Sequence, residues 1–363
     1  MCDVIVVGGG VIGLTLAWKL AEQGARVQLI EQRQVGREAS WAGAGMLPPA
    51  DLAVANSPVA RLRALSHPLW PEWSAQIQSE TGIDNGYQPC GALELAWSES
   101  GRKQLEAQLQ SEGVSYLSLS GTDLKEFSPS LSPEIPFALH LPEMGQVRNP
   151  RHLSGLVAMC QTRQVEIIEG EPVVGFSTAS GKITDVRTSH NTYQAERICL
   201  TTGAWSAPMG ELLGLQIPVR PVRGQIVLLR KQPLPFTTIL QQEEQYLVPR
   251  ADGRILIGAT MEEAGFVKAN TVSGVSTLLQ FAVQTVPELA KTEVERTWAG
   301  LRPGSPEGIP FLGRAKKWEN LYYACGHFRD GLQLSTGTAV VMSELLLDRE
   351  TSLDLSPYAL TES

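Results

Sequence analysis

Two hydrophobic patterns alternate at the start of the chain. Residues 4–7 (VIVV) form an unbroken apolar, β-branched run, the pattern of a strand covered on both faces in a parallel sheet. After three glycines, Leu14, Ala17, Trp18 and Leu20 repeat with helical spacing, and Gly24 supplies a stop. A second buried run, residues 27–30, ends in Glu31. Further on, helical spacing returns over 65–81, short alternating strands appear at 91–97, and Pro129, Pro133 and Pro136 mark loops. Residues 149–163 predict a helix with Asn149 as its cap and Pro150 in the first position. Strands are predicted at 165–176 and 183–186, and RICLTTGAWS (197–206) reads as a buried strand entering a small-residue turn at Gly203.

From 218 to 258 the pattern is that of successive strands: QIVLLRK, TTILQQ, QYLVPR and RILIGAT, the last pair joined by an Asp252-Gly253 hairpin turn. A helix at 278–290, a strand at 293–301 leading into Arg302, and a strand at 320–324 complete the pattern. The chain then enters GHFRDGLQLS (326–335) and an apolar stretch that predicts a helix from near Gly331. Nucleotide-type elements at both ends enclose an antiparallel block. The expectation is an α/β plus α+β protein: a discontinuous Rossmann-like domain at 1–85, 145–215 and 305–363. Into it is inserted a second domain at 86–144 and 216–304, built on a mixed, largely antiparallel sheet.

Composition narrows the chemistry. A chain of 363 residues exceeds one compact core. Net charge is −8 with no basic cluster, which argues against nucleic acid as a partner. No apolar run is long enough for a membrane span, and no secretory pattern opens the chain. The five cysteines are scattered without a C-x-x-C pair, which argues against a disulfide framework or a zinc site and for a reducing, cytoplasmic location.

The glycines between the first strand and helix read G-x-G-x-x-G at Gly8, Gly10 and Gly13. Gly8 permits the tight turn, Gly10 the approach of a pyrophosphate, and Gly13 close helix–strand packing. The helix start offers free N–H groups and partial positive charge to phosphates, and Glu31 stands where an acid accepts bonds from a ribose diol. An acid there argues against a 2′-phosphate. The fingerprint alone is compatible with either FAD or NAD.

Taken jointly, the fingerprint with Glu31, AGAGM (42–46), TTGAWS (201–206), Tyr246 in QYLVPR, GLRPGSPEGIPFLG (300–313) and GHFRDGLQLS resemble the D-amino acid oxidase superfamily of flavoproteins. Within it they are most similar to the bacterial glycine oxidases of thiamine biosynthesis, over residues 3 to about 347. The resemblance implies non-covalent FAD, a homotetramer, and oxidation of glycine, sarcosine or D-alanine with O2 as acceptor. It implies that Arg302 binds the substrate carboxylate, with Tyr246 and Arg329 beside the substrate and Met261 over the flavin. For FAD it implies Val11, Ile12, Glu31, Gln32, Ala39, Ser40, Ala44, Gly45, Met46 and Val173. The same holds for the loop Gly326, His327, Phe328, Arg329, Asp330, Gly331 and Leu332. One departure is evident: the hydroxyl-rich run ahead of AGM is reduced to Ser40, followed by Trp41. Residues 300–313 contain no cysteine for flavin attachment, and Cys325, inside a strand, reads as core filling.

The loop at 326–332 should face the flavin, with the following helix stabilising negative charge at the pyrimidine end of the ring. No general base is evident, and His327 reads as structural. Two other functions share these features: a quinone-linked D-amino acid dehydrogenase and a non-enzymatic flavin-binding module. Peroxide formation separates the first alternative, and substrate-driven bleaching of the flavin the second.

Overall fold

The computed structural model describes residues 2–361. Its first sheet has six strands in the order Phe311–Arg314, Leu321–Cys325, Ala195–Leu200, Cys2–Val7, Val27–Ile30, Glu166–Ile168. All neighbours are parallel except the first pair. Both faces are covered, which is why these strands are continuously apolar. Val4, Val6, Leu29 and Tyr322 turn towards the helices Val11–Glu22, Asn149–Thr162 and Ser335–Leu346. Ile5, Val7, Ile198 and Tyr323 turn the other way, onto Phe176, Ile183 and Val186 of a three-stranded antiparallel sheet.

The second large sheet has eight strands: Glu293–Gly304, Arg220–Arg230, Arg254–Gly258, Gln245–Arg250, Ile239–Gln242, Ala92–Ala96, Phe137–Leu141, Leu117–Ser120. Only Ile239–Gln242 and Ala92–Ala96 pair in parallel, so the sheet is mixed and largely antiparallel, as the strand pattern led one to expect. Its outer face buries Leu93, Val227, Leu247 and Ile257 under the helix Val272–Thr285. Its inner face, with Ile226, Ile239 and Val248, looks onto Ala44 and Met46 of the first half of the chain. Asp252-Gly253 does turn the expected hairpin, with Gly253 at φ +81°.

Several local expectations are corrected. The stretch 65–81 is two helices, Pro58–Ser66 and Leu69–Thr81, interrupted where Pro68 cannot donate to the first. Asn149 is the first residue of its helix rather than the cap, and its Nδ2 donates instead to Ser40 O at 2.7 Å. The helix expected at 278–290 spans Val272–Thr285, with a short 3₁₀ turn from Pro287. The last long helix begins at Ser335 rather than Gly331. Leu334 N–H reaches Asp330 O, but Ser335 N–H bonds Leu332 O, so the bonding resets before the regular helix starts. The helix Glu99–Glu112 was not foreseen, because Leu105 and Leu109 alone do not make an apolar stripe. No helix among the described residues is long and apolar enough to cross a membrane.

Candidate functional site

A cleft of about 340 Å³ runs from the first glycine turn to the inner face of the eight-stranded sheet. At one end, Gly8 takes φ +111°, and a Cβ there would come within 2.6 Å of Thr201 O. A Cβ on Gly13 would lie 1.9 Å from Gly8 O, so only glycine lets the helix approach the turn. Gly10, Val11 and Ile12 line the cleft, and a Cβ on Gly10 would enter the gap to Ser40 Oγ, at 3.3 Å.

Ser40 accepts a 2.9 Å bond from Val11 N–H and so caps the helix start from a distance of 29 residues. Trp41 explains how its short helix, Ala39–Ala42, is held. Its ring meets Trp298 edge-on with centroids 5.5 Å apart, and Trp298 Nε1 donates to Ala42 O at 3.0 Å. Gly300 is small enough for Ala42 to rest on the sheet, since a Cβ there would lie 2.6 Å from Ala42 Cβ.

Glu31 does something the sequence did not reveal. Its Oε2 accepts from Gly9 N–H at 2.8 Å and its Oε1 from Arg33 N–H at 3.0 Å, so the carboxylate fastens the glycine turn. Burial raises its pKa, and these two N–H groups oppose the rise.

At the opposite end of the cleft stand Arg302 and Tyr246. The Arg302 guanidinium lies against the backbone of Gly224, where a Cβ would come within 2.3 Å of Nη1, and Nη1 donates to Thr260 O at 3.0 Å. Tyr246 packs against Gly258 in the same way, with a Cβ there 2.5 Å from its ring. Burial raises the phenol's pKa, while the charge and hydrogen bond of Arg302 pull it down. Two strand glycines therefore clear the space in which a cation and a phenol converge.

Residues 326–332 all line the cleft. The loop is clamped to the sheet: Phe328 N–H donates to Pro303 O at 3.0 Å, and Ser305 Oγ donates to Gly326 O at 2.8 Å. His327 bonds Thr338 Oγ1 at 3.0 Å, and burial pushes its pKa down to about 3, so it is a neutral structural group. Arg329 forms an ion pair with Glu244 across the cleft mouth and is nearly half exposed.

The structure brings Ala39, Ser40, Ala44, Gly45 and Met46 into this cleft together with Arg302, Tyr246 and Arg329. Six expected positions lie outside its lining, Gly8 and Gly13 of the turn among them. Met261 is 44% exposed, Val173 opens a strand of the three-stranded sheet, and Glu31 and Gln32 sit behind the glycine turn. Sequence reasoning missed Arg63, Glu94, Gln241 and Glu244, which also line the cleft. Glu94 carried one readable signal, a lone charge among the apolar residues of 92–96.

Residues 3–345 match the family described as FAD dependent oxidoreductase. The chain belongs to that family. It is 34% identical to a glycine oxidase of Pseudomonas putida, with 98% of each chain covered. It is also 34% identical to a bifunctional protein ThiO/ThiG of Synechocystis, covering 96% of this chain and 52% of that one. Among solved structures, a glycine oxidase from Geobacillus kaustophilus superposes with a TM-score of 0.94 at 31% identity, covering 99% of this chain and 98% of the other.

The protein is thus an FAD-dependent oxidoreductase, and the residues present fit the cofactor. The glycine turn and the helical N–H groups just beyond Val11, whose own N–H is taken by Ser40, suit its phosphates. The glycine-rich segment 43–46 and the loop 326–332 leave room for a flat ring between them and the sheet.

Proposed function

We propose that this enzyme oxidises glycine and other small primary or secondary amino acids, sarcosine and D-alanine among them. The products are an imine that hydrolyses to the 2-oxo acid with release of ammonia or amine, and hydrogen peroxide from O2. The observation that carries this reading is the convergence of Arg302 and Tyr246 on the cleft wall to which the 326–332 loop is clamped. When bound, FAD would be held by the glycine turn, residues 43–46 and the loop 326–332, and would supply a two-electron acceptor for the substrate and a donor to O2.

The remaining work falls to the chain. The Arg302 fork offers two parallel N–H donors to a carboxylate, its remaining Nη1 donor being held by Thr260 O. Tyr246, neutral because burial raises its pKa, adds an O–H donor to the same group. Together they fix the substrate by its carboxylate and orient its Cα towards the loop 326–332. No side chain is needed to take the Cα proton in a hydride transfer, and the buried, neutral His327 is not placed for that task.

The glycine oxidase and ThiO/ThiG relatives support glycine as the substrate and supply of imine to the thiazole of thiamine as its use. We assign residues 1–85, 145–215 and 305–363 to FAD binding and 86–144 and 216–304 to substrate binding, with a homotetramer in the cytoplasm. Anaerobic titration of the holoenzyme with glycine, sarcosine, D-alanine and D-proline, followed at the flavin band, tests the reading. Bleaching by glycine with stoichiometric peroxide on readmission of O2 is expected. Bleaching without peroxide would point to a dehydrogenase, and no bleaching by any of the four would refute the reading.

A further inference from the structure

The end of the cleft beyond Tyr246 holds a carboxylate that the proposed reaction does not use. Glu94 is the middle residue of Ala92–Ala96, and its neighbours Leu93 and Leu95 both enter the apolar core of the outer face. Strand alternation therefore turns Glu94 to the inner face, where it lines the cleft. Register places it beside Gln241, and Gln241 beside Tyr246. Glu94, Gln241 and Tyr246 thus form one row across three adjacent strands. At roughly 4.8 Å per strand, Glu94 lies about 10 Å along the sheet from Tyr246.

Among the described residues no cation pairs with it. Gln241 Nε2 donates to the Glu94 carboxylate, which leaves the other lone pairs of that group for a donor in the cleft. The two arginines of this rim are committed elsewhere, Arg63 to Glu112 and Asp330, and Arg329 to Glu244. Glu112 adds a second negative charge, and the helix Glu99–Glu112 closes this end of the cleft with Leu109. Burial accordingly pushes the Glu94 carboxyl up to about 7. Keeping an acid in such a place without a cation is costly unless something entering the cleft offers one.

We propose that Glu94, held by Gln241, is a specificity subsite for the distal end of the substrate and takes a primary ammonium. The favoured ligands are then amino acids that carry a second, terminal amine. This rests on the reading of Arg302 and Tyr246 as the carboxylate grip, since the ligand spans the row from that grip to Glu94. The subsite does not compete with glycine, which is too short to reach it.

The test uses the holoenzyme and non-reacting probes, with dissociation constants read from perturbation of the flavin spectrum. The series 4-aminobutanoate, 5-aminopentanoate and 6-aminohexanoate is compared with butanoate, pentanoate and hexanoate. At least one amino acid should bind tenfold or more tightly than its unaminated partner, and Glu94→Gln should reduce that advantage below threefold. Glu94→Asp should retain part of it at a shifted chain length. The ratio of kcat/KM for D-ornithine to that for D-norvaline should fall in parallel, a readout in which any general loss of activity cancels.

If the plain carboxylates bind but no amine improves on them, the subsite is refuted while the Arg302 grip stands. If an advantage survives Glu94→Gln undiminished, the ammonium is bound elsewhere and the subsite is again refuted. If neither series binds, the carboxylate grip fails and the subsite fails with it. Should Glu94→Gln not fold, the length series on the unaltered enzyme and on Glu94→Asp decides the matter.

Discussion

Arg302 and Glu94 stand at opposite ends of the substrate side of the cleft, and each makes a different demand on a single residue. Lysine in place of Arg302 keeps the charge but loses the planar fork, and with it both the bidentate grip and the anchoring to Thr260 O. Disrupting a desolvated charge pair of this kind typically costs about 2–5 kcal/mol. Arg302→Lys should therefore raise KM for glycine by roughly 30-fold or more with the flavin spectrum intact. Tyr246→Phe should cost about 0.5–1.5 kcal/mol, the worth of one neutral hydrogen bond. An amine without a carboxylate should be indifferent to either change, and steady-state kinetics with both amines checks this.

Glu94 bears on stability instead. Its carboxyl titrates near 7 in the fold against an ordinary 4.5, so the fold favours the neutral acid. That contribution is complete below about 4.5 and is lost as pH rises through 7, a difference of about 3 kcal/mol at most. Glu94→Gln should therefore raise the midpoint of unfolding more at pH 8 than at pH 4.5. Melting curves across that range test it, and a gain independent of pH would contradict the assignment.

At the scale of elements, glycines decide how closely strands, helices and side chains approach. Gly224 and Gly258 sit on neighbouring strands and leave the space that Arg302 and Tyr246 fill. Gly224→Ala places a methyl group inside contact distance of the guanidinium. It should reproduce the Arg302 defect, a KM for glycine raised at least tenfold, about 1.4 kcal/mol, without touching the arginine itself. An unchanged KM would mean that the guanidinium does not bind where the structure places it. Gly13→Ala differs in kind, because the obstructing atom is backbone and cannot rotate away. The expected cost is about 1–3 kcal/mol of folding stability, together with loss of yellow colour, measured by chemical denaturation and the flavin band.

At the scale of the whole molecule, the cleft is lined by Ala324 and Cys325 of the six-stranded sheet and by Ile226 and Tyr246 of the eight-stranded one, so a ligand there touches both. FAD bound to the folded state alone stabilises it by mass action, about 2.7 kcal/mol at a free concentration one hundred times Kd. The melting temperature of flavin-depleted protein should rise steadily with added FAD. Cys325 lies buried in its strand, and burial pushes its thiol up to about 12, so it stays protonated and a poor nucleophile. Acid precipitation should leave the yellow colour in the supernatant, whereas colour retained in the pellet would overturn the non-covalent reading.

What the sequence by itself determined is what depends on neighbours along the chain. The βαβ start, the order of strands from 218 to 258, the Asp252-Gly253 hairpin and the glycine bracket at 326–331 are local patterns of period, turn chemistry and backbone freedom. They were enough to indicate a Rossmann-like half and a largely antiparallel block, while the flavin followed from the resemblance carried by the motifs together. Arg302, expected just after a strand ending at 301, lies inside a strand that runs on to Gly304. What only the tertiary structure decided depends on residues far apart in the chain. Ser40 caps the helix at Val11, and Trp41 seats its helix on Trp298. Glu31 closes the glycine turn, and Arg329 finds Glu244. Met261 and Val173 stay out of the cleft, while Glu94 enters it through a register that joins strand 92–96 to strand 239–242. The reason is physical: periodicity reports which face of an element is buried, but which distant element covers that face is settled only when the sheets pair and pack.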